Sequence, residues 1–200
     1  MRRRSGYGTT PARKQGNQDV QAMLLTRIGY YSDFFAYPVL IVFFGAAGVM
    51  NASSEGSLAW IAIYPGCLAL WTLLEYILHR FVLHHLPYFK ELHDQHHRDV
   101  RALVGTPTWL SIALFMGLAF LPLYWLTGFA TASVATSGLM SGYLWYVSVH
   151  HIAHHWHPSH SGYLYKVKRG HAMHHAHEAH NFGVTSRFWD RAFRTMLRQP

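Results

Sequence analysis

The chain carries seventeen histidines, and none precedes residue 79. They fall into four runs: His79 and His84 in HRFVLH, His93, His96 and His97 in HDQHH, the HHIAHH segment from His150 to His155, and His171, His174 and His175 in HAMHH. Neutral imidazole is the commonest protein metal ligand and suits zinc, iron, copper and nickel. The single cysteine, Cys67, excludes an intrachain disulfide, a cysteine-based zinc finger and an iron–sulfur cluster. Histidines at i, i+3 and i+4 share a helical face, so each of the two HxxHH motifs reads as a three-imidazole claw. His79 and His84, five apart, diverge by about 140° on a regular helix. They can serve one site only if the helix ends or bends near Leu83. The third run offers two overlapping i, i+4 pairs, His150 with His154 and His151 with His155, and spacing does not choose between them. So many basic groups brought together without a metal would waste desolvation energy and repel one another when protonated. Metal binding is therefore expected, and the ligands outnumber what one ion can use, so two ions are expected.

The chain has only nine acids, and Glu75, Glu91, Asp94, Glu178 and Asp190 lie close to these runs. A metal-bound histidine usually donates its second ring N–H to a carboxylate or a carbonyl, which fixes the tautomer. Some of the five are candidates for that role, with solvated surface acids as the alternative for each.

These histidines need elements to hold them. The 200 residues are 50% hydrophobic, 16% aromatic and 13% charged, which excludes a disordered chain. A mean hydropathy near zero averages long apolar blocks with a polar, histidine-laden remainder. Four apolar runs, charged only at Glu75, stand out: Phe34 to Met50, Leu58 to Leu78, Trp109 to Gly128 and Ala132 to Val149. Each approaches the length a helix needs to cross a bilayer, although glycine and serine dilute the first and fourth, which could also be buried helices of a soluble protein. Short polar links at 51–57 and 127–131 predict two antiparallel helical hairpins. All 17 Lys and Arg residues lie in the segment up to Arg27, in Arg80 to Arg101, and in Lys166 to Arg198. With four spans those three stretches share one side, and the positive-inside rule makes it cytoplasmic. The net charge of +8 then belongs at lipid headgroups, and no nucleic-acid module accompanies it. Residues 1–30 read as a basic mobile arm without a signal-peptide cleavage site. Residues 31–200 read as one all-α integral membrane domain, with about four transmembrane helices under a cytoplasmic His-rich helical cap.

The four histidine motifs, with the tail NFGVTSRFWDRAFRTM at 181–196, resemble the fatty acid hydroxylase and sterol desaturase superfamily, and most closely its fatty acid 2-hydroxylases. The resemblance covers roughly residues 35–196. It implies a two-metal site held by His79, His84, His93, His96, His97, His150, His154, His171, His174 and His175. His85, His151, His155, His157, His160, His177 and His180 then fall outside the ligand set. It further implies two iron ions, with zinc able to replace them in isolated protein, and oxygen insertion into a lipid C–H bond, most closely at carbon 2 of a fatty acyl chain. Relatives often carry a fused cytochrome b5 domain, for which the roughly 35 residues before the first apolar run leave no room. Electrons would then come from a separate carrier such as cytochrome b5 or a ferredoxin with its reductase, docking on a basic face near Lys166, Lys168 and Arg169. The expected setting is a bacterial inner membrane or the endoplasmic reticulum. Relatives often have Phe-Gly-Thr where this chain has Phe193-Arg194-Thr195. The rival readings are a hydroxylase or desaturase of sterols, hopanoids or carotenoids, and a zinc-binding membrane protein without redox chemistry.

Overall fold

The computed structural model describes residues 25–52, 57–160 and 162–197, and every regular element among them is helical. Helix α1 (Arg27–Met50) starts where the Thr26 hydroxyl accepts the Gly29 N–H at 3.0 Å, so it begins inside the arm read as 1–30. Residues 1–24 of that arm lie outside the described residues. Helix α2 (Ser57–Ile77) continues without a break into a π-helical turn at Leu78–Leu83. Helix α3 (Pro87–Arg98) opens on a proline at its first position, which needs no N–H there. The next rod comprises α4 (Thr108–Leu114), a second π-helical stretch (Phe115–Phe120) and α5 (Leu121–Thr127). Gly128, at φ 82°, turns the chain directly into α6 (Phe129–His155), so the expected five-residue link is a one-residue hinge. Two shorter helices, α7 (Tyr163–Ala176) and α8 (Phe188–Ala192), complete the chain.

Among the described residues, three helices are long and apolar enough to cross a membrane: Arg27–Met50, Trp60–Leu83 and Thr108–Thr127. Their outer surfaces carry Phe35, Val39 and Val42 on α1, Ile61 on α2, and Leu118, Trp125 and Leu126 on the third rod, all exposed. Such continuous apolar faces are stable in hydrocarbon and not in water. The protein is accordingly an all-helical membrane protein.

Helix α6, which contains the fourth apolar run, is different in kind. It packs along both α1 and α2 as the hub of the bundle and buries Ala132, Ser133, Ala135, Ser137, Gly138 and Gly142. Small residues let neighbouring helices approach closely, the usual solution where lipid supplies no hydrophobic drive for association. At Gly142 a Cβ would stand 2.3 Å from the Trp71 Cβ. The serines and glycines that dilute this run in the sequence are therefore its packing surface. Tyr37, Trp71, Phe115 and Tyr143 form the aromatic centre around it, with Tyr37 and Tyr143 rings 4.6 Å apart. The ends of α2 and α6 meet α3 and α7 at one pole, where the histidines gather.

Candidate metal centre

Ring nitrogens converge in two groups. His79, His84, His93 and His174 each offer one nitrogen within 4.8 Å of the others, and so do His96, His150, His154 and His171. His97 and His175 stand between the groups, stacked on each other at 4.3 Å. The His97 Nε2 is 3.0 Å from that of His93, and the His175 Nε2 is 3.1 Å from that of His171. All ten residues singled out in the sequence thus lie in one continuous cluster.

Local structure explains how each ring arrives. The bend expected near Leu83 is a π-helical turn. Hydrogen bonds from i to i+5 bring residues five apart into line, and the His79 and His84 rings stack at 5.3 Å. Neither HxxHH motif works as one claw, which corrects the sequence reading. On a helix, the i+4 residue lies about 40° from the first and the i+3 residue about 60° to its other side. His93 and His97 accordingly face the first group while His96 joins the second. In α7 the roles invert, with His171 and His175 at the second group and His174 at the first. Helices α3 and α7 each straddle both groups. Of the overlapping pairs in α6, His150 and His154 reach the cluster, whereas His151 and His155 stack on each other, with His151 Nδ1 3.1 Å from the Tyr30 hydroxyl.

The donor set fits metal ions. Neighbouring Nε2 atoms stand 3.1 Å apart in His79–His93 and His96–His150, 3.2 Å in His84–His174 and 2.8 Å in His154–His171. His79 Nδ1 lies 2.5 Å from the Phe182 carbonyl oxygen and His174 Nδ1 lies 2.8 Å from that of His180. A carbonyl accepts only, so both rings carry their proton on Nδ1 and present a bare Nε2 lone pair. Lone pairs facing one another at this range repel unless a cation lies between them, and ligands each about 2 Å from a shared ion stand about 3 Å apart. Burial, reinforced by neighbouring rings, holds His84 down to about 4 and His96 and His175 down to about 3. His174 is held down to about 3 by burial as well. These rings are neutral, as ligands must be, well below physiological pH.

The five nearby acids divide by burial. Glu75 accepts the N–H groups of Val184 and Thr185 at 2.6 and 2.8 Å, and Asp190 accepts those of Phe182 and Gly183 at 2.9 and 3.0 Å. Both are buried and press the tail loop against the bundle, which delivers the Phe182 carbonyl to His79. The loop's tightness requires Gly183, because a Cβ there would lie 2.0 Å from the Ser186 carbonyl oxygen. Glu178 comes within 3.4 Å of His97 Nδ1. Asp94 and Glu91 form surface pairs with Lys90 and Arg98. The tail turn closes with Arg194 at φ 58°, a left-handed conformation that explains why glycine suits this position.

A cavity of about 110 Å³ lies beside the cluster between α1, α3 and α6. Phe34, Leu83, Leu92 and Val147 give it apolar walls, and His93, His96 and His150 bring both histidine groups to its rim. Asp33 and Tyr143 also line it. On the polar side Arg101, Lys168, His155 and His157 surround a second recess that reaches His154, His171 and His175. The sequence reading passed over Asp33, Tyr30 and the carbonyls of His180 and Phe182. An acid next to an apolar run was a usable signal for Asp33, while backbone acceptors leave none.

An all-helical membrane bundle carrying a ten-histidine, two-centre cluster beside an apolar cavity defines a class, and the comparisons with known proteins supply the family. Residues 64–195 match the fatty acid hydroxylase family model, and the chain belongs to that family. It is 34% identical over 136 residues to the dihydroceramide fatty acyl 2-hydroxylase FAH2 of Arabidopsis thaliana, covering 63% of this chain and 56% of that protein. It is 38% identical over 148 residues to the ceramide very long chain fatty acid hydroxylase SCS7 of Saccharomyces cerevisiae, covering 64% and 36%. It is 31% identical over 152 residues to the human fatty acid 2-hydroxylase, covering 68% and 40%. The chain therefore spans about half or less of the length of these relatives. Among solved structures, the hydroxylase domain of full-length scs7p shares the fold, with a TM-score of 0.73 at 24% identity over 85% of this chain and 67% of that one.

Proposed function

We propose that the protein is a membrane di-iron lipid hydroxylase that places a hydroxyl group on carbon 2 of a fatty acyl chain. The observation that carries this reading is the pair of Nε2 clusters, shared between the same two helices, on the rim of an apolar cavity. His79, His84, His93, His97 and His174 would hold one iron, and His96, His150, His154, His171 and His175 the other. Iron held there supplies the activation of O2, and the overall reaction consumes one C–H bond, O2, two electrons and two protons to give C–OH and water. The Phe182 and His180 carbonyls keep His79 and His174 in the tautomer that leaves Nε2 free. The cavity walls orient the acyl segment and keep bulk water from the rim. The plant and human relatives above are named as 2-hydroxylases of fatty acyl chains and the yeast relative as a fatty acid hydroxylase, which supports the same reaction and position.

Four spans place both termini and the metal pole on the cytoplasmic side, in a bacterial inner membrane or the endoplasmic reticulum, with α6 as the fourth and innermost span. The hydroxylase domain begins at α1 behind a basic arm. Electrons arrive from a separate carrier such as cytochrome b5 or a ferredoxin with its reductase. Lys166, Lys168 and Arg101 border the histidine pole on the face suited to an acidic donor. Expression beside His174→Ala and His96→Ala in a host lacking the activity, followed by mass spectrometry of hydrolysed acyl chains, tests the reading. The expected result is 2-hydroxy acyl chains from the wild type alone. New sterol or carotenoid products would change the substrate, and unaltered lipids with iron and a reductase supplied would overturn the reading.

A further inference from the structure

The tail sets arginines beside a membrane-spanning helix. Helix α8 packs against α2: the Trp189 indole N–H donates to the Thr72 hydroxyl at 2.9 Å, and the Phe193 ring stacks on that of Tyr76 at 5.2 Å. Thr72 and Tyr76 belong to the pole-side half of the Trp60–Leu83 span. The tail therefore lies against a lipid-facing helix, at or just inside the boundary of the hydrocarbon. Its outer surface is apolar, with Phe188 and Phe193 exposed, and Leu78 and Phe81 of the span are exposed as well. Arg191 and Arg194 are exposed on the same short segment. Its one acid, Asp190, is buried and accepts from the Phe182 and Gly183 N–H groups and the Thr195 hydroxyl, so its oxygens are turned inward. Among the described residues neither arginine forms an ion pair with an acid.

Arg194 adopts φ 58°, a conformation costly for any residue with a Cβ, and strained positions of this kind persist where the surroundings or a function compensate for them. Guanidinium groups on an apolar, aromatic surface at this depth extend their charge to the phosphate layer, where the planar fork pairs with phosphate oxygens two at a time. A zwitterionic headgroup brings its own cation, whereas an anionic headgroup leaves its phosphate charge to the two arginines.

We propose that Arg191 and Arg194 form a binding site for the phosphate of an anionic phospholipid, whose acyl chains lie along Phe188, Phe193 and the outer face of α2. The site is apart from the metal centre and stands on membrane embedding alone, so it does not depend on the hydroxylase reading. In the test, the full chain in neutral detergent is titrated with phosphatidylglycerol or with phosphatidylcholine of identical acyl chains, and bound lipid is counted by native mass spectrometry. A cationic side chain near an anionic lipid surface is worth about fivefold in affinity, so the wild type is expected to favour phosphatidylglycerol by about twentyfold. Arg194→Gly and Arg191→Gln each lower that preference about fivefold, and the double variant brings it near unity. Arg194→Gly carries the test even where Arg191→Gln folds poorly, because it removes the side chain and relieves the backbone strain together. Arg98→Gln, which removes a charge from α3, leaves the preference unchanged. No preference in the wild type, a preference that survives in the double variant, or an equal loss in Arg98→Gln overturns the proposal. Glycerol phosphate at equal concentration is expected not to displace phosphatidylglycerol, and displacement would overturn the lipid assignment in favour of a soluble phosphate. A weakened affinity of Arg191→Gln for an acidic electron carrier, with the lipid preference intact, would assign this face to a protein partner instead.

Discussion

His174 shows how much one side chain carries at this site. Its Nε2 belongs to the first histidine group while its Nδ1 is held by the His180 carbonyl. His174→Ala is therefore expected to cut bound metal by about half and to abolish hydroxylation, since losing even the hydrogen-bond partner behind a ligand costs about 10–100-fold in metal affinity or activity. His160→Ala, which removes a tilted ring contact with Tyr165 away from the cluster, retains both. Metal analysis beside product assay checks the pair. Arg194 sits at φ 58°, where a non-glycine residue is strained by about 1–2 kcal/mol. Glycine gives back part of that through its larger unfolded-state entropy, so Arg194→Gly is expected to stabilise the protein by about 0.5–1 kcal/mol, read as a higher thermal midpoint. At this scale the sequence was most legible, because type and spacing mark eight of the ten clustered histidines, and the family resemblance chose His150 and His154 over His151 and His155. It was blind where chemistry comes from the backbone: the Phe182 and His180 carbonyls have no side-chain signature. Asp33 escaped because it borders the apolar run that was read as the span.

Helices reveal a different limit. Spacing says which residues share a face, and it does not say how many partners that face meets. Three imidazoles on one side of α3 looked like one claw, yet the 100° step between His96 and His97 sends them to different groups. The His79–His84 pair demanded a departure from the α-helix, and the sequence located it near Leu83 without specifying the π-helical turn. In α6 the glycines and serines that weaken its claim as a lipid-facing span are what let α1 and α2 close on it. Gly142→Ala tests that account. A Cβ placed 2.3 Å from the Trp71 Cβ must push α6 and α2 apart, at about 1–3 kcal/mol. Because α6 carries His150 and His154, the thermal midpoint should fall together with metal bound at the second group. A full-strength metal site in a destabilised Gly142→Ala protein would show that the histidine pole is independent of the bundle.

Across the whole molecule, burial of many neutral imidazoles makes stability depend on pH. In the unfolded chain these rings titrate near 6.5, whereas in the fold His84 titrates at about 4 and His96, His174 and His175 at about 3. Between those limits the unfolded chain binds more protons, so stability is full above 6.5 and is lost as pH falls through 6.5 toward 3. Metal-free protein in detergent should unfold at progressively lower temperature as the pH is lowered from about 7.5 to about 5, and the metal-loaded form should release its ions in the same direction, because protons compete for the ligands. A flat profile would mean that the rings are solvated and the cluster does not persist without metal. The central claim joins this centre to the membrane: a lipid carbon receives an oxygen atom from O2 at the histidine pole. Iron-loaded protein in vesicles, supplied with a reduced electron carrier and isotopically heavy dioxygen, tests it most directly. The account predicts a heavy hydroxyl at carbon 2 of the acyl chain, absent from His174→Ala. A hydroxyl carrying the light isotope of water, or product that survives loss of His174, would contradict it.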